Sequence, residues 1–361
     1  MEQSSGRRYP ELPHPYRNPF QRDRDRIVHA RAFRRLENKT QVFSPGLFDH
    51  FRNRLTHTIE VSQISRTVAS ALGLNEDLTE TLALAHDIGH PPFAHSGEEE
   101  LNRQMARFGE RFEHNLHALH LVESFEQRYA RFPGLNLTFE VREGMVKHSH
   151  DFERGEAVEL DEYLPGLRPP LEAQLIDVAD EIAYNTADLD DAFSARMFTP
   201  EQIAAEVPQY AEIWDEISQQ FPGASEKVQF LESLRRLIDW LVSGFIEGTY
   251  QAAQASGAKS VDDIRRLPVR LATIEASAQE TNAALKKFLH AHVYHDEMLR
   301  QERIRSMIII EELFQFFLKH PDTLPEPYAG LAAEGHPHRV ICSYIAGMTD
   351  GFCRRTHDEL V

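Results

Sequence analysis

Cysteine is almost missing from this chain of 361 residues: Cys342 and Cys353 are the two present, and no CxxC pair occurs. A disulfide framework and a zinc knuckle are therefore excluded, and both residues are expected as free thiols. No apolar run reaches membrane-spanning length, and MEQSSGRRYP at the start has no signal-peptide core, so the expected location is the cytoplasm. Glycine-rich phosphate loops, strand-like alternation and repeat periods are absent as well. Positive charge is also in short supply. With 39 Lys+Arg against 57 Asp+Glu the net charge is −18, which argues against a general nucleic-acid binder.

The cations that do occur are gathered at one end. Residues 1–54 hold 12 Lys+Arg and 6 acids, a local charge of +6 against −24 for the rest. Guanidinium forks grip phosphate oxygens bidentately, so this segment suits a polyphosphate ligand. The alternative for each arginine is a solvated, salt-bridged arm. With 41% apolar residues the chain can bury a sizeable core, as one large or two medium domains.

Histidine carries the chemistry. His57, His86, His90 and His95 fall within one stretch that ends HDIGHPPFAHSGEEEL, with Asp87 directly beside His86. Neighbouring residues at a helix end point about 100° apart, so a His-Asp pair can reach one ion from adjacent directions. A preceding helix can add an imidazole and a later one a carboxylate. Such a mixed N/O set with open positions suits Mn, Mg, Ni, Co or Fe better than a closed structural zinc. Water on such an ion becomes a nucleophile near neutral pH.

Helical periodicity runs through nearly the whole chain. After an irregular, proline-bearing lead-in (1–22), DRDRIVHARAFRRLENKTQV sets Ile27, Ala30, Phe33 and Leu36 on one stripe, and a polar turn is expected at 44–50. The helix with His57 places Leu55, Ile59, Ile64, Val68 and Leu72 at helical spacing and ends at Gly73. Asn75 caps the next helix, whose Leu78, Leu82 and Ala85 face inward and which stops near His86 because Gly89 and Pro91-Pro92 break the ladder. Ser96 and Glu99 then form a capping box, leaving Glu98 for other work. Residues 113–130 read as a helix with His114, His117 and His120 at three-residue spacing; for the last two a packing or surface role is the better reading. A shorter helix is expected at 139–152 and a loop at 151–170. In LEAQLIDVADEIAYNTADLDDA (171–192), Asp180, Tyr184 and Asp188 share one face, and a carboxylate ligand should come from here. Helical patterns recur at 200–220, 225–255, 269–290, 302–319 and 337–355, expected to pack on the first half or on a second subunit. In HRVICSYIAGMTDGF (338–352), Ala346, Gly347, Tyr344 and Asp350 suggest close packing near something polar.

The order His57, His86-Asp87, Asp180 resembles the HD-domain metal-dependent phosphohydrolases. The strings RLTHTIEV, LAHDIGHPPFAHSGEEEL, DEIAYNTADLDDA, FLHAHVY and VICSYIAGMTDGF narrow this to the deoxyguanosinetriphosphate triphosphohydrolase-like proteins of bacteria, related to the mammalian SAM-and-HD-domain dNTPase. The resemblance implies an all-α fold, an HD-domain helical bundle core extended by C-terminal helices: an Arg-rich segment at 1–55, the core at 56–195 and a helical region at 196–361 that completes the pocket and an oligomer interface. It implies one divalent ion on His57, His86, Asp87 and Asp180, catalytic roles for His95, Glu98 and His114, phosphate contacts from Arg54, His90 and Lys147, and a deoxyribose site at Tyr184 and Asp188. Ser343 and Gly351 depart from the family pattern, which commonly has Asp and a basic residue there, and so place a C-terminal contact in doubt.

The activity implied is attack of water on the α-phosphorus of a dNTP, with deoxynucleoside and tripolyphosphate as products. Tyr184, closed on the sugar, would exclude a 2′-hydroxyl. A tetramer or hexamer and a second nucleotide as activator are expected by the same analogy; single-stranded nucleic acid has no support in the residues. Two other readings stay open: another HD phosphohydrolase, such as a 5′-nucleotidase or nucleotide phosphodiesterase, and a dNTP-binding sensor that acts by assembly.

Overall fold

The helical periods of the sequence become helices nearly throughout the computed structural model, which describes residues 4–42 and 51–361. Among the described residues no strand forms; Arg7 with Thr138 and Thr40 with Asn53 make isolated bridges. The turn expected at 44–50 lies outside the described residues. The all-α expectation holds.

The chain divides into two units. One, here the histidine unit, comprises residues 4–42 and 51–58, Leu84–Val146 and Met298–Val361; the other, the acidic-helix unit, comprises Ile59–Ala83 and Lys147–Glu297. Each draws on both halves of the sequence.

Helix α1 (Pro19–His29) begins earlier than expected, because Asn18 and Gln21 form a capping box in front of Pro19. The apolar stripe is real, with Ile27, Ala30, Phe33 and Leu36 all buried. It is not one helix, however. Ala30 is extended, and α2 (Arg31–Arg35) starts anew because the Glu126 carboxylate takes the Ala32 N–H at 2.8 Å. Several arginines of this segment are ion-paired within it: Arg7 with Asp23, Arg17 with Asp25, and Arg22 and Arg26 with Glu11. The salt bridges of the solvated-arm alternative are present, but Arg26 is buried rather than solvated, and the arm packs on the chain.

Helix α3 (Arg54–Ala71) carries His57 and ends before Gly73, whose φ of +67° is the left-handed turn that glycine adopts freely. Its buried stripe is His57, Val61, Ile64 and Val68, whereas Ile59 is exposed, a correction to the expected face. Asn75 caps α4 (Glu76–Ala85) by accepting the Leu78 N–H at 3.0 Å, and Leu78, Leu82 and Ala85 are buried as expected. Helix α5 (Ala94–Ala106) starts ahead of Ser96, so Ser96 is no cap. A tertiary bond from Phe93 decides that start and is described below.

Helix α6 (His114–His120) stops short of the 113–130 expected, passing into one π turn over Leu121–Phe125. The chain returns there: Leu135 donates to the Val122 carbonyl at 2.6 Å, and Gly134 lies against Val122 and Glu123 where no side chain would fit. Helix α7 (Phe139–Val146) follows.

In the acidic-helix unit α8 (Leu171–Ser194) buries Leu175, Ala179, Ile182 and Ala187. Around it lie α9 (Pro200–Glu206), α10 (Pro208–Gln220), α11 (Glu226–Ser256), α12 (Val261–Arg265) and α13 (Ala276–His292). Helices α11 and α13 approach closely at Gly244, where an added methyl would lie 2.3 Å from Ala278 Cβ. In the histidine unit α14 (Glu297–Lys319), α15 (Tyr328–Ala333), α16 (Pro337–Ala346) and α17 (Asp350–Leu360) share a core with α5: Leu101 and Met105 meet Ile310, Phe314, Ile341 and Ile345. Each such buried side chain contributes roughly 1.5–3 kcal/mol. Packing on the first half is thus realised within this unit. Cys342 and Cys353 are free, buried thiols whose pKa burial pushes up.

Candidate active site

The site grows from the loop after α4. His86 and Asp87 leave the helix end, and Gly89 lets α6 close on them: a Cβ there would lie 2.0 Å from the His114 carbonyl oxygen and 2.6 Å from the Ala118 nitrogen. His117 completes that contact, its Nδ1 2.8 Å from the Gly89 carbonyl. The packing role expected of His117 therefore has a partner. Burial first, with Lys39 and neighbouring histidines, lowers its pKa to about 3, so the ring is neutral.

Asp87 is the hub of the first cluster. Its Oδ1 lies 3.5 Å from His86 Nε2 and 3.1 Å from His90 Nε2, and its Oδ2 lies 4.0 Å from His57 Nε2. The His57 and His86 rings are 5.8 Å apart between centroids. Arg54 donates to Asp87 Oδ2 at 2.7 Å. All five side chains are buried. Burial alone would raise the Asp87 carboxyl, but Arg54, His86 and His90 outweigh it and hold it well below the usual carboxylate range. Two imidazoles and one ionised carboxylate, withdrawn from water, are a donor set that fits a divalent cation. His57, His86 and Asp87 are the residues that could hold it within this unit.

The second cluster lies next to the first. The His90 and His114 rings stack at 3.9 Å with 16° between planes, and His95 meets His90 edge-on at 5.7 Å. Glu98 Oε1 accepts the His114 N–H at 3.0 Å and lies 2.8 Å from its Nδ1. Although His90, Glu98 and His114 bring polar atoms within 4.8 Å of one another, stacked rings direct their in-plane lone pairs side by side. A proton relay suits that geometry better than a chelate. Burial pushes the Glu98 carboxyl up, but its His114 bonds and the nearby His90 hold it at about 2. Burial lowers His90, aided by Arg54; His95 is lowered by desolvation and by Arg54 although it keeps an exposed face.

Asp180, Tyr184 and Asp188 follow one another along α8 in the acidic-helix unit, as the spacing required. Asp188 Oδ2 accepts the Tyr294 hydroxyl at 2.5 Å. Burial raises the Tyr184 phenol, and Glu181 adds to the rise. Lys147 belongs to this unit too, and its ammonium donates to the carbonyls of Leu164 and Leu167 at 3.0 and 2.7 Å, beneath the Phe152 ring. It clamps the 151–170 loop. Likewise Arg54 is committed to Asp87.

Four residues escaped the sequence reading. Tyr294 stood in FLHAHVY without a role, and Lys39 and Thr40 were lost among the N-terminal cations. Asp350 was noticed only as near something polar. It accepts the Phe93 N–H at 2.9 Å and the Thr40 N–H at 2.8 Å.

Comparison with known proteins agrees with this architecture. The HD domain matches residues 54–185 and the phosphohydrolase-associated domain matches residues 272–359. The chain is 44% identical over 349 residues to the deoxyguanosinetriphosphate triphosphohydrolase-like protein of Geobacter sulfurreducens, covering 97% of this chain and 90% of that one. Its identity to the same-named protein of Ralstonia nicotianae is 44% over 362 residues, 99% of this chain and 92% of the relative. For that of Bordetella pertussis the figures are 43% over 361 residues, 98% and 93%. Identity at this level along nearly the full length, with both halves of the HD pair buried against each other, means that the chain belongs to the deoxyguanosinetriphosphate triphosphohydrolase-like family of HD-domain phosphohydrolases.

Proposed function

We propose that the protein hydrolyses deoxynucleoside triphosphates, dGTP or several of the four, to deoxynucleoside and tripolyphosphate. The observation that carries the reading is the adjacency of the buried His57, His86, Asp87 group to the His90, His95, Glu98, His114 array. The four-ligand set includes Asp180 of α8, and the ion is Mn²⁺ or Mg²⁺, with Ni²⁺, Co²⁺ or Fe²⁺ as the other candidates. When bound, such an ion supplies positive charge for the phosphate oxygens and acidity for a coordinated water.

The protein's own groups do the rest. Glu98, ionised at neutral pH, orients the attacking water and fixes the tautomer of His114. His95, neutral at this pH, donates its N–H to an α-phosphate oxygen as charge builds there. The new bond joins water oxygen to the α-phosphorus and the bond from that phosphorus to O5′ breaks; the proton that the water gives up passes through the Glu98–His114 pair to O5′. His90 flanks the phosphates. Tyr184 and Asp188, the latter held by Tyr294, bind the deoxyribose and its 3′-hydroxyl, which disfavours a ribonucleotide. A homo-oligomer and a second nucleotide as activator are carried by the family relationship alone.

The test is product analysis with Mn²⁺ across the four dNTPs and GTP, with metal content measured on the wild type and Asp180→Ala. Tripolyphosphate from dNTPs, little from GTP, and loss of metal in the variant are expected. Orthophosphate or a nucleoside monophosphate as first product would sink the reading.

A further inference from the structure

The turn that joins the loop carrying His90 to the helix carrying His95 and Glu98 is strained. Phe93 and Ala94 are both left-handed, at φ +63° and +56°, and neither is glycine. That conformation costs roughly 1–2 kcal/mol per residue, and it persists where the surroundings over-determine it.

Helix α17 supplies the restraint. Asp350 and Arg354, one turn apart, take Phe93 by its two ends: Asp350 Oδ1 accepts the Phe93 N–H at 2.9 Å, and the Arg354 guanidinium lies 4.7 Å from the centre of the Phe93 ring. Glu302 pairs with Arg354. The second carboxylate oxygen of Asp350 accepts the Thr40 N–H at 2.8 Å and the Thr40 hydroxyl. Beside it the Lys39 ammonium donates to the carbonyls of His90 and Ala346, the latter at 3.1 Å. The Lys39 carbonyl in turn accepts the Arg54 N–H at the start of α3, at 3.1 Å. Lys39, Thr40 and Asp350 are all buried.

We propose that Asp350, Thr40 and Lys39 are positioning residues of the active site: they hold the strained Phe93–Ala94 turn and the His90 carbonyl, and thereby fix where His90, His95 and Glu98 point. None of the three reaches the reacting atoms in this assignment. The proposal rests on the hydrolytic reading above for its effect on rate, but its structural half can be judged without it.

Asp350→Asn keeps an acceptor for one N–H and turns an amide donor toward the other. The expected result is a fall in kcat for dGTP of about 10²-fold, the scale of a misplaced catalytic group, with KM moved by less than about threefold. Metal content should be unchanged. Hydrogen exchange should quicken over residues 88–96 and not in α14. Ala94→Gly, which accepts the left-handed turn without strain, should restore both exchange protection and most of kcat in the Asp350→Asn background. Unchanged exchange at 88–96, equal loosening of the whole unit, or failure of Ala94→Gly to rescue would overturn the proposal. If Asp350→Asn does not fold, Lys39→Met is read the same way, since it removes only two carbonyl contacts; wild-type exchange at 88–96 in that variant overturns it. A wild type that hydrolyses no dNTP defeats the hydrolytic reading, while the exchange data still decide whether the brace exists.

Discussion

Arg54 and Asp87 form a buried ion pair at 2.7 Å, with His57 one turn further along the helix that carries Arg54. The guanidinium keeps the Asp87 carboxyl ionised despite its burial, and it holds Oδ2, the oxygen that also lies 4.0 Å from His57 Nε2. Breaking such a pair from one side strands a buried charge, which costs about 3–5 kcal/mol. Arg54→Met should therefore be destabilised by about that amount in EDTA. Saturating Mn²⁺ should recover the larger part, because a bound cation would supply the missing charge. Urea unfolding with and without Mn²⁺ measures both. A deficit equally large in the two conditions would mean that Asp87 does not face a metal.

Glu98 gives a prediction about rate against pH. With its carboxyl held at about 2, it is ionised throughout the working range, so any acid limb above pH 5 belongs to imidazoles. Glu98→Gln should lower kcat by about 10²–10⁴-fold, the usual contribution of a positioned acid or base. The drop should extend across pH 5 to 9, with an acid limb still present. Disappearance of the acid limb in the variant would contradict this assignment.

What could be read from the sequence was chemistry that sits on local pattern. His86-Asp87 lies at the end of a helix whose start, at Asn75, and whose inward face were both legible, because caps and 3.6-residue spacing are local signals. The proposed metal set builds on that local pattern. Ser96 misled, since a capping pattern was present but the start of α5 is set by Asp350, 257 positions away, taking the Phe93 N–H. The break at Ala30 was hidden for the same reason, Glu126 reaching back to Ala32. The partners of Lys147 and Arg54 were not legible, because a charge in sequence carries no record of its partner. In the folded chain carbonyls hold the first and Asp87 the second.

His117 ties stability to pH. Its folded pKa, about 3, lies below the roughly 6.5 of an unfolded imidazole. The unfolded chain thus binds the proton first, so the full contribution is present above pH 6.5 and is lost as pH falls toward 3. Each pH unit in that window removes up to about 1.4 kcal/mol. His117→Asn, which offers an amide N–H to the Gly89 carbonyl and cannot titrate, should flatten the fall in urea midpoint between pH 6.5 and 5. A variant as acid-sensitive as the wild type would assign that slope to other groups.

Gly89 connects the two clusters sterically. An alanine methyl there would collide with backbone, the His114 carbonyl oxygen at 2.0 Å and the Ala118 nitrogen at 2.6 Å, and neither atom can rotate aside. Helix α6 must therefore move outward, carrying His114 from Glu98 and breaking the bond from His117 to the Gly89 carbonyl. Overpacking of this kind costs about 1–3 kcal/mol, which a chain of this size can survive. The contacts among His57, His86 and Asp87 do not involve α6 and should persist. Gly89→Ala should consequently bind Mn²⁺ near wild-type stoichiometry while kcat falls by about 10²-fold, a separation of metal binding from proton transfer. Metal analysis and single-turnover kinetics on the same preparation test it: parallel loss of metal and rate would show that the loop moves as one piece, and that α6 is not an independent arm of the site.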